Sequence, residues 1–156
     1  MTGAVLDRLR NGLIVSCQAA SGSPLANRGL MSYMAEAAEA GGAVAIRAEG
    51  LRDITEIKKA VSIPIVGLIK FKSENTPVVI TPLLEHVYQL LEAGVDLIAV
   101  DATLRKRFDG ALGNDFVAQA KAIGAQVVAD IDNLESAIAA EKSGAVAVFT
   151  TLSGYT

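Results

Sequence analysis

The sequence has no tryptophan, one cysteine and four prolines, and aromatic residues make up only 4% of its 156 positions. With Cys17 as the single cysteine, an intrachain disulfide is excluded, which fits a reducing compartment and predicts a cytoplasmic location. No apolar run approaches the ~18 residues that a membrane-spanning helix needs. The first residues contain only a short apolar stretch and carry Asp7, a poor signal peptide, so we expect no membrane partner.

Excess charge of either sign is also lacking. Lysine and arginine number 14 against 17 acidic residues, a net charge of −3 that excludes a broad nucleic-acid footprint. One basic cluster, Arg105-Lys106-Arg107, is interpreted as a solvated loop, with a site for an anionic ligand as the alternative. Hydrophobic residues make up 51% and charged residues 20%, so the chain is expected to fold around a core rather than remain disordered.

The most informative feature present is a set of six apolar segments that each end on a polar or charged residue. They are LIVSCQ ending at Gln18, AVAIR at Arg47, PIVGLIK at Lys70, DLIAVD at Asp101, AQVVAD at Asp130 and AVAVFTT at Thr150 and Thr151. Such groups at the ends of buried strands are costly unless they are paired or functional. In a (β/α) barrel, the carboxyl ends of the strands form the rim that carries the active site.

Helical patterns alternate with these strands. Several of them end at a glycine just before the next strand, where a helix commonly stops in a left-handed conformation: Gly42, Gly94, Gly124 and Gly144. Thr81 before Pro82 resembles a helix cap followed by a first-turn proline. The alternation predicts a parallel sheet covered by helices. Its spacing predicts one α/β domain over 1–156, a TIM barrel of (β/α)₈ type with about six of eight units present.

Strand parity separates the barrel interior from the helix layer. If Lys70 points inward, Leu68 and Val66 do so too, because side chains alternate along a strand. If Gln18 points inward, Cys17 faces the helices and is interpreted as a small packing residue, not a nucleophile. His86 lies on a helix between two core positions and is interpreted as a surface or boundary residue.

The strand ends also match a known family. The matching stretches are GLIVSCQ at 12–18, GGAVAIRAEG at 41–50, IVGLIK at 65–70, ITP at 80–82, DATLRKR at 101–107, AD at 129–130 and TTLSGYT at 150–156. In this order and spacing, the chain resembles the bacterial N-acetylmannosamine-6-phosphate 2-epimerases of sialic-acid catabolism. The resemblance extends over nearly the whole sequence.

That resemblance implies an isomerase, a (β/α)₈ barrel that needs no metal or organic cofactor. It implies interconversion of N-acetylmannosamine 6-phosphate and N-acetylglucosamine 6-phosphate, with a phosphorylated N-acetyl amino sugar as partner. Lys70 falls on the family's catalytic lysine. Gln18, Arg47 and Asp130 fall on substrate-binding positions at the ends of strands one, two and five.

The chain departs from the family pattern in three places. The family also uses a glutamate on strand seven and a glycine-rich turn with an arginine after strand eight, and TTLSGYT precedes both. We therefore expect the 156-residue chain to be weakly active or inactive. We also expect it either to form a homo-oligomer that covers the open sheet edges or to be poorly stable. Phe71-Lys72 follows Lys70 where the family often has Arg-Asp, and Phe108 stands where proline is usual.

Epimerisation requires removal of the proton at C2, beside the C1 aldehyde of the open-chain sugar. A lysine between apolar walls and near the charge of Arg47 suits the role of base. Arg47 would stabilise the developing oxyanion, while Gln18 and Asp130 orient the sugar.

Three other interpretations stay open. Lys70 could instead form a buried ion pair with Asp101 or Asp130, and the role of Asp101 is undecided. The chain could be a Schiff-base aldolase of the same fold. It could also be a non-catalytic truncated fragment.

Overall fold

A computed structural model of the protein describes residues 2–26 and 28–156. The elements follow one another as α1 (Thr2–Leu9), β1 (Ile14–Cys17), α2 (Leu30–Ala40), β2 (Ala45–Glu49), α3 (Leu51–Ala60), β3 (Ile65–Leu68), α4 (Leu84–Glu92), β4 (Leu97–Asp101), α5 (Gly113–Ala122), β5 (Val127–Asp130), α6 (Leu134–Ser143) and β6 (Ala147–Phe149).

The strands form one sheet in the order β1-β2-β3-β4-β5-β6, and every neighbouring pair is parallel. Each of the first five strands is followed by a helix before the next strand begins. The predicted fold class, about six units of a (β/α)₈ barrel, is therefore confirmed. Because the strands are parallel and sequential, all their carboxyl ends meet at one edge of the sheet.

The core has an inner and an outer layer, as the parity of the strands predicts. Val66, Leu68, Leu97 and Val128 pack together on the inner side of the sheet. Alternate residues of the same strands pack outward against the helices. Cys17 belongs to this outer layer, where it is 1% exposed and where burial raises the pKa of its thiol. It is a packing residue, as expected from its parity.

The sequence predicted the carboxyl ends of the helices better than the start of α4. All four predicted terminal glycines adopt positive φ, from 70° at Gly94 to 101° at Gly144. The predicted cap at Thr81 is wrong, because α4 begins later, at Leu84, with Leu83 in the capping position. Thr81 is instead buried in the segment that leads from β3 to α4, where its hydroxyl donates to the carbonyl of Ala99.

Two strand boundaries differ from the sequence pattern in ways that affect the rim. β2 continues past Arg47 to Glu49, so Arg47 lies inside the strand. β3 ends at Leu68, and Lys70 follows it in an antiparallel bridge with Ile80. The helix α1 was not anticipated; its Val5 packs against the inner layer of the core.

Candidate functional site

A cavity of about 380 Å³ opens at the carboxyl ends of the first three strands. It is lined by Ser16, Gln18, Arg47, Lys70, Ile80 and Thr151. Three of the four residues that the sequence predicts for the site therefore line one cavity. Gln18 and Lys70 follow β1 and β3, and Arg47 lies in β2. They meet because parallel strands in sequential order present their carboxyl ends side by side.

The fourth predicted residue, Asp130, lies beneath the cavity wall and is 0% exposed. Its Oδ2 accepts a hydrogen bond from Nη2 of Arg47 at 2.7 Å, across 83 residues of sequence. Its Oδ1 accepts one from the hydroxyl of Thr151 at 2.6 Å. Burial raises the pKa of Asp130, and the positive charge of Arg47 opposes that rise without cancelling it. Asp130 thus joins the two cavity residues Arg47 and Thr151.

Arg47 has one unpaired donor. Its Nη2 holds Asp130, and its guanidinium carbon lies 5.7 Å from the ring centre of Phe149. Its Nη1 is buried and has no hydrogen-bond partner within residues 2–26 and 28–156. A buried donor without a partner costs free energy, which a ligand oxygen that reached Nη1 would recover.

Gln18 and Ser16 form the polar wall on the β1 side. The side-chain amide nitrogen of Gln18 donates to the hydroxyl of Ser16 at 2.8 Å. Both residues lie on the inward parity of β1, two positions apart, so the alternation that placed Gln18 also placed Ser16. The wall carries hydroxyl and amide groups suited to sugar hydroxyls.

Lys70 is exposed, contrary to the expectation that apolar walls enclose it. Its backbone N–H approaches Oε1 of Glu49 at 3.4 Å. Lys70 also lines a second cavity of about 680 Å³, together with Glu49, Lys72, Val79 and residues 19–21. Lys70 therefore borders two cavities.

The alternative in which Lys70 neutralises a buried aspartate is not what the structure contains. Asp130 pairs with Arg47, while Asp101 pairs with Arg105 at 2.7 Å. No ion pair of Lys70 is present in the described part of the chain. Both rim carboxylates have arginine partners, which leaves the amine of Lys70 available to a ligand.

The basic cluster after β4 is not the solvated loop that its composition predicted. Arg107 is 3% exposed, and Arg105 binds the buried carboxylate of Asp101. Oδ1 of Asp101 also accepts from the backbone N–H and the hydroxyl of Thr103. Only Lys106 of the three basic residues is exposed. Asp101 therefore organises this loop and does not line the cavity.

His86 is also more buried than expected. It is 8% exposed, and its ring centre lies 5.8 Å from that of Phe71. Burial lowers the pKa of His86, with the nearby charge of Glu85 acting in the opposite direction. His86 belongs to α4 and does not line the cavity.

Three cavity residues were missed by the sequence reasoning: Ser16, Thr151 and Ile80. Ser16 could have been found from its parity with Gln18. Thr151 belongs to the threonine pair noted after the sixth strand, and only its approach to Asp130 gives it a place in the site. Ile80 carries no local signal, because it reaches the cavity through the chain's return after β3. Among residues 2–26 and 28–156 there is no cluster of potential metal ligands, and none of the helices there is long and apolar enough to cross a membrane.

Comparison with known proteins identifies relatives over nearly the whole sequence. The family described as "Putative N-acetylmannosamine-6-phosphate epimerase" matches residues 31–156. The chain is 49% identical over 154 residues to a protein of Caldanaerobacter subterraneus subsp. tengcongensis named as a putative N-acetylmannosamine-6-phosphate 2-epimerase. It is 47% identical over 152 residues to a Clostridium perfringens protein of the same name.

A solved structure gives the same result in three dimensions. The N-acetylmannosamine-6-phosphate 2-epimerase from Clostridium perfringens superimposes with a TM-score of 0.91 at 47% identity, covering 97% of this chain. The chain spans 65% and 69% of the length of the two curated relatives, and 66% of that solved chain. The likeness thus covers nearly all of this chain and about two thirds of each relative.

Proposed function

The chain belongs to the N-acetylmannosamine-6-phosphate epimerase family, and on that premise we propose that it acts on N-acetylmannosamine 6-phosphate at the Lys70 cavity. The reaction is epimerisation at C2 to N-acetylglucosamine 6-phosphate. The observation that carries this proposal is the convergence of Lys70, Arg47 and Gln18 on one cavity, in a chain 49% identical to a protein named for that reaction.

The reaction requires the open-chain sugar, whose C1 is an aldehyde. The amine of Lys70 takes the proton from C2, and the electron pair of the broken C–H bond forms a C1–C2 double bond. The negative charge moves to the C1 oxygen as an enolate. A proton from water then adds to C2 from the opposite face, which inverts that centre and restores the aldehyde, and the ammonium of the exposed Lys70 returns its proton to the solvent.

Arg47 has the position and the free donor to stabilise the enolate. Its unpaired Nη1 would donate to the C1 oxygen as negative charge develops there. Asp130 binds Arg47 and is itself bound by Thr151, so the guanidinium of Arg47 would not have to reorganise during the reaction. Gln18 would bind a sugar hydroxyl or the acetamide. Direct contact between Asp130 and the sugar stays a prediction.

Solvent exchange tests the role of Lys70. The purified chain is incubated with N-acetylmannosamine 6-phosphate in D₂O, and the C2 proton signal is followed by proton NMR together with the appearance of the epimer. We expect at most slow exchange with the native chain, in line with the weak activity expected from its sequence, and none with Lys70→Met. The control is Lys59→Met, which removes an exposed lysine paired with Glu56 on α3.

Two results would contradict the proposal. Absence of exchange and of product with the native chain would favour the alternative of a non-catalytic protein, which binding of the sugar phosphate would then test. Retained exchange in Lys70→Met would remove Lys70 as the base. Borohydride trapping separates the aldolase, because only an imine at Lys70 would be reduced to a stable adduct.

The proposed cellular context has its own support. A cytoplasmic enzyme of sialic-acid catabolism is supported by family membership and by a buried, unpaired cysteine. Fractionation of cells that express the protein tests the location.

A homo-oligomer is supported by the open edge at β6, where Val148 is 42% exposed and Leu134 of the neighbouring helix is 75% exposed. Light scattering of the purified chain tests it, and a stable monomer would contradict it.

A further inference from the structure

The catalytic lysine proposed above lies on a hairpin, not on a strand of the sheet. Residues 69–81 fold back on themselves, with antiparallel bridges between Lys70 and Ile80 and between Ser73 and Thr76. Backbone hydrogen bonds flank Lys70 on both sides. The N–H of Phe71 donates to the carbonyl of Val79 at 3.0 Å, and that of Thr81 donates to the carbonyl of Ile69 at 2.7 Å. The place of Lys70 thus depends on the returning limb, residues 76–81.

The returning limb is in turn attached to the end of β4. The N–H of Asp101 donates to the carbonyl of Ile80 at 3.0 Å, and the hydroxyl of Thr81 donates to the carbonyl of Ala99 at 2.7 Å. Thr81 has a φ of 45°, in the left-handed region that a β-branched residue rarely adopts. A conformation of this kind persists only where its surroundings hold it.

Arg107, in the loop after β4, stabilises this conformation of Thr81. Its Nη2 donates to the carbonyl of Thr81 at 2.8 Å, and its Nη1 donates to the carbonyl of Asp101 at 2.6 Å. The guanidinium carbon lies 3.6 Å from the ring centre of Phe116 on α5. Burial lowers the pKa of Arg107 to about 10, so the group remains a cation at neutral pH.

We propose that Arg107 is a positioning residue for Lys70. Its guanidinium bridges the end of β4 and the returning limb of the hairpin, and so sets where the lysine stands in the cavity. This inference rests on the proposed function. Arg107 lies outside the cavity lining, so it acts through the backbone at Thr81 and not by touching a ligand.

Two further contacts join the same two segments near the tip of the hairpin. The hydroxyl of Thr76 donates to the carbonyl of Lys106 at 2.8 Å. The rings of Phe71 and Phe108 lie 6.0 Å apart. The hairpin and the loop thus form one unit, with Arg107 at its base.

Arg105 provides a matched comparison in the same loop. It also binds Asp101, but through the carboxylate, and its other bond is to the hydroxyl of Thr103. Neither bond reaches the hairpin. Removing Arg105 therefore perturbs the loop and its buried aspartate without breaking the bridge to Thr81.

The test measures the hairpin and the lysine separately from activity. Arg107→Met, Arg107→Lys and Arg105→Met are compared with the native chain by amide hydrogen exchange and by the NMR signal of ¹³C-methylated Lys70, assigned with Lys70→Arg. We expect Arg107→Met to speed exchange at Phe71 and Thr81 at least tenfold and to move the Lys70 signal. Arg107→Lys keeps a cation and a donor, so it should restore part of both. Arg105→Met should change neither.

Kinetics give the functional arm of the test. If the native chain turns over the sugar phosphate, Arg107→Met should lower kcat more than it changes KM, because the base is displaced while the binding wall stays. In Arg107→Met, an unchanged Lys70 signal would overturn the inference. Hairpin amides that exchange no faster than the amides of β5 would overturn it too. Either result would leave Arg107 as a contributor to stability alone. Inactivity of the native chain would count against the proposed function, yet both NMR measurements would still decide the role of Arg107.

Discussion

Two neighbouring strands end on buried aspartates that are directly opposite each other in register, yet the two aspartates have different roles. Asp101 closes β4 and Asp130 closes β5, and each binds an arginine at 2.7 Å. The arginine of Asp101 comes from four residues away, in its own loop. The arginine of Asp130 comes from β2, 83 residues away. The local pair shapes a loop, whereas the distant pair builds the wall of the cavity.

The difference shows that a charged strand ending does not by itself mark a site. Both aspartates satisfy the same sequence pattern, and both are 0–1% exposed. What separates them is whether the partner also lines the cavity. Arg47 does, with an unpaired donor, while Arg105 is held by Asp101 and Thr103 outside it. Four changes test this contrast, in order of expected effect.

Arg47→Met should have the largest effect on stability and should abolish any epimerase activity. It leaves the fully buried carboxylate of Asp130 without its cation, a change that typically costs about 3–5 kcal/mol of unfolding free energy. Denaturant unfolding measures this. A loss no larger than that caused by Arg105→Met would show that the distant pair is not the stronger support.

The pH dependence of stability should show that burial disfavours the charged form of Asp130. Because burial raises the pKa of Asp130 above its unfolded value of 3.8, its contribution to stability is fully present below pH 3.8 and is lost as the pH rises through the folded pKa. Measured from pH 3.5 to pH 7, the native chain should lose stability relative to Asp130→Asn. Arg47→Met should lose more, since the opposing charge is gone. A difference in stability between the native chain and Asp130→Asn that does not change with pH would contradict the raised pKa.

Arg105→Met should cost less, about 1–2 kcal/mol, because the Arg105 side chain is 27% exposed and water can reach the site that it leaves. The N–H and hydroxyl of Thr103 also continue to bind Asp101. If the chain has activity, this variant should retain most of it. Thermal unfolding and the exchange assay check the two parts. Complete loss of activity with little loss of stability would place Asp101 in the site after all.

Thr151→Val should have the smallest effect on stability, about 1 kcal/mol, through loss of one hydrogen bond to Asp130. The shape of the side chain is kept, so the cavity wall stays in place. We expect the pKa of Asp130 to rise further, because the hydroxyl stabilises its charged form. Carboxyl-carbon NMR titration measures it, and Thr151→Ser, which keeps the donor, is the control. An unchanged titration in Thr151→Val would exclude this role.

Much of the architecture follows from local pattern. Alternation along each strand predicted the inward placement of Val66 and Leu68 and the outward placement of Cys17, because a strand permits only two side-chain directions. Glycines at helix ends predicted the positive φ values found there, since that conformation is costly for other residues. Gln18, Arg47 and Lys70 line one cavity because parallel strands present their ends on one edge.

The starts of elements and the state of the charged groups were less predictable. Thr81 has the local pattern of a helix cap, but it lies in the returning limb of a hairpin. The residues next to Thr81 in the sequence give no signal for that hairpin. The basic triplet 105–107 looks like a solvated loop, yet Arg107 is buried on Phe116. Lys70 was expected between apolar walls and is exposed. In each case a segment distant in sequence determines the environment of the residue.

The sequence by itself determined the periodicity, the direction in which each strand residue points and the edge on which the polar endings gather, because these depend on neighbours along the chain. Only the tertiary structure decided which charge pairs with which. The curvature of the sheet brings β2 close enough to β5 for Arg47 to reach Asp130, and the return of the chain after β3 brings Thr81 to Arg107. These pairings depend on distances between separate elements, which no local spacing of residues encodes.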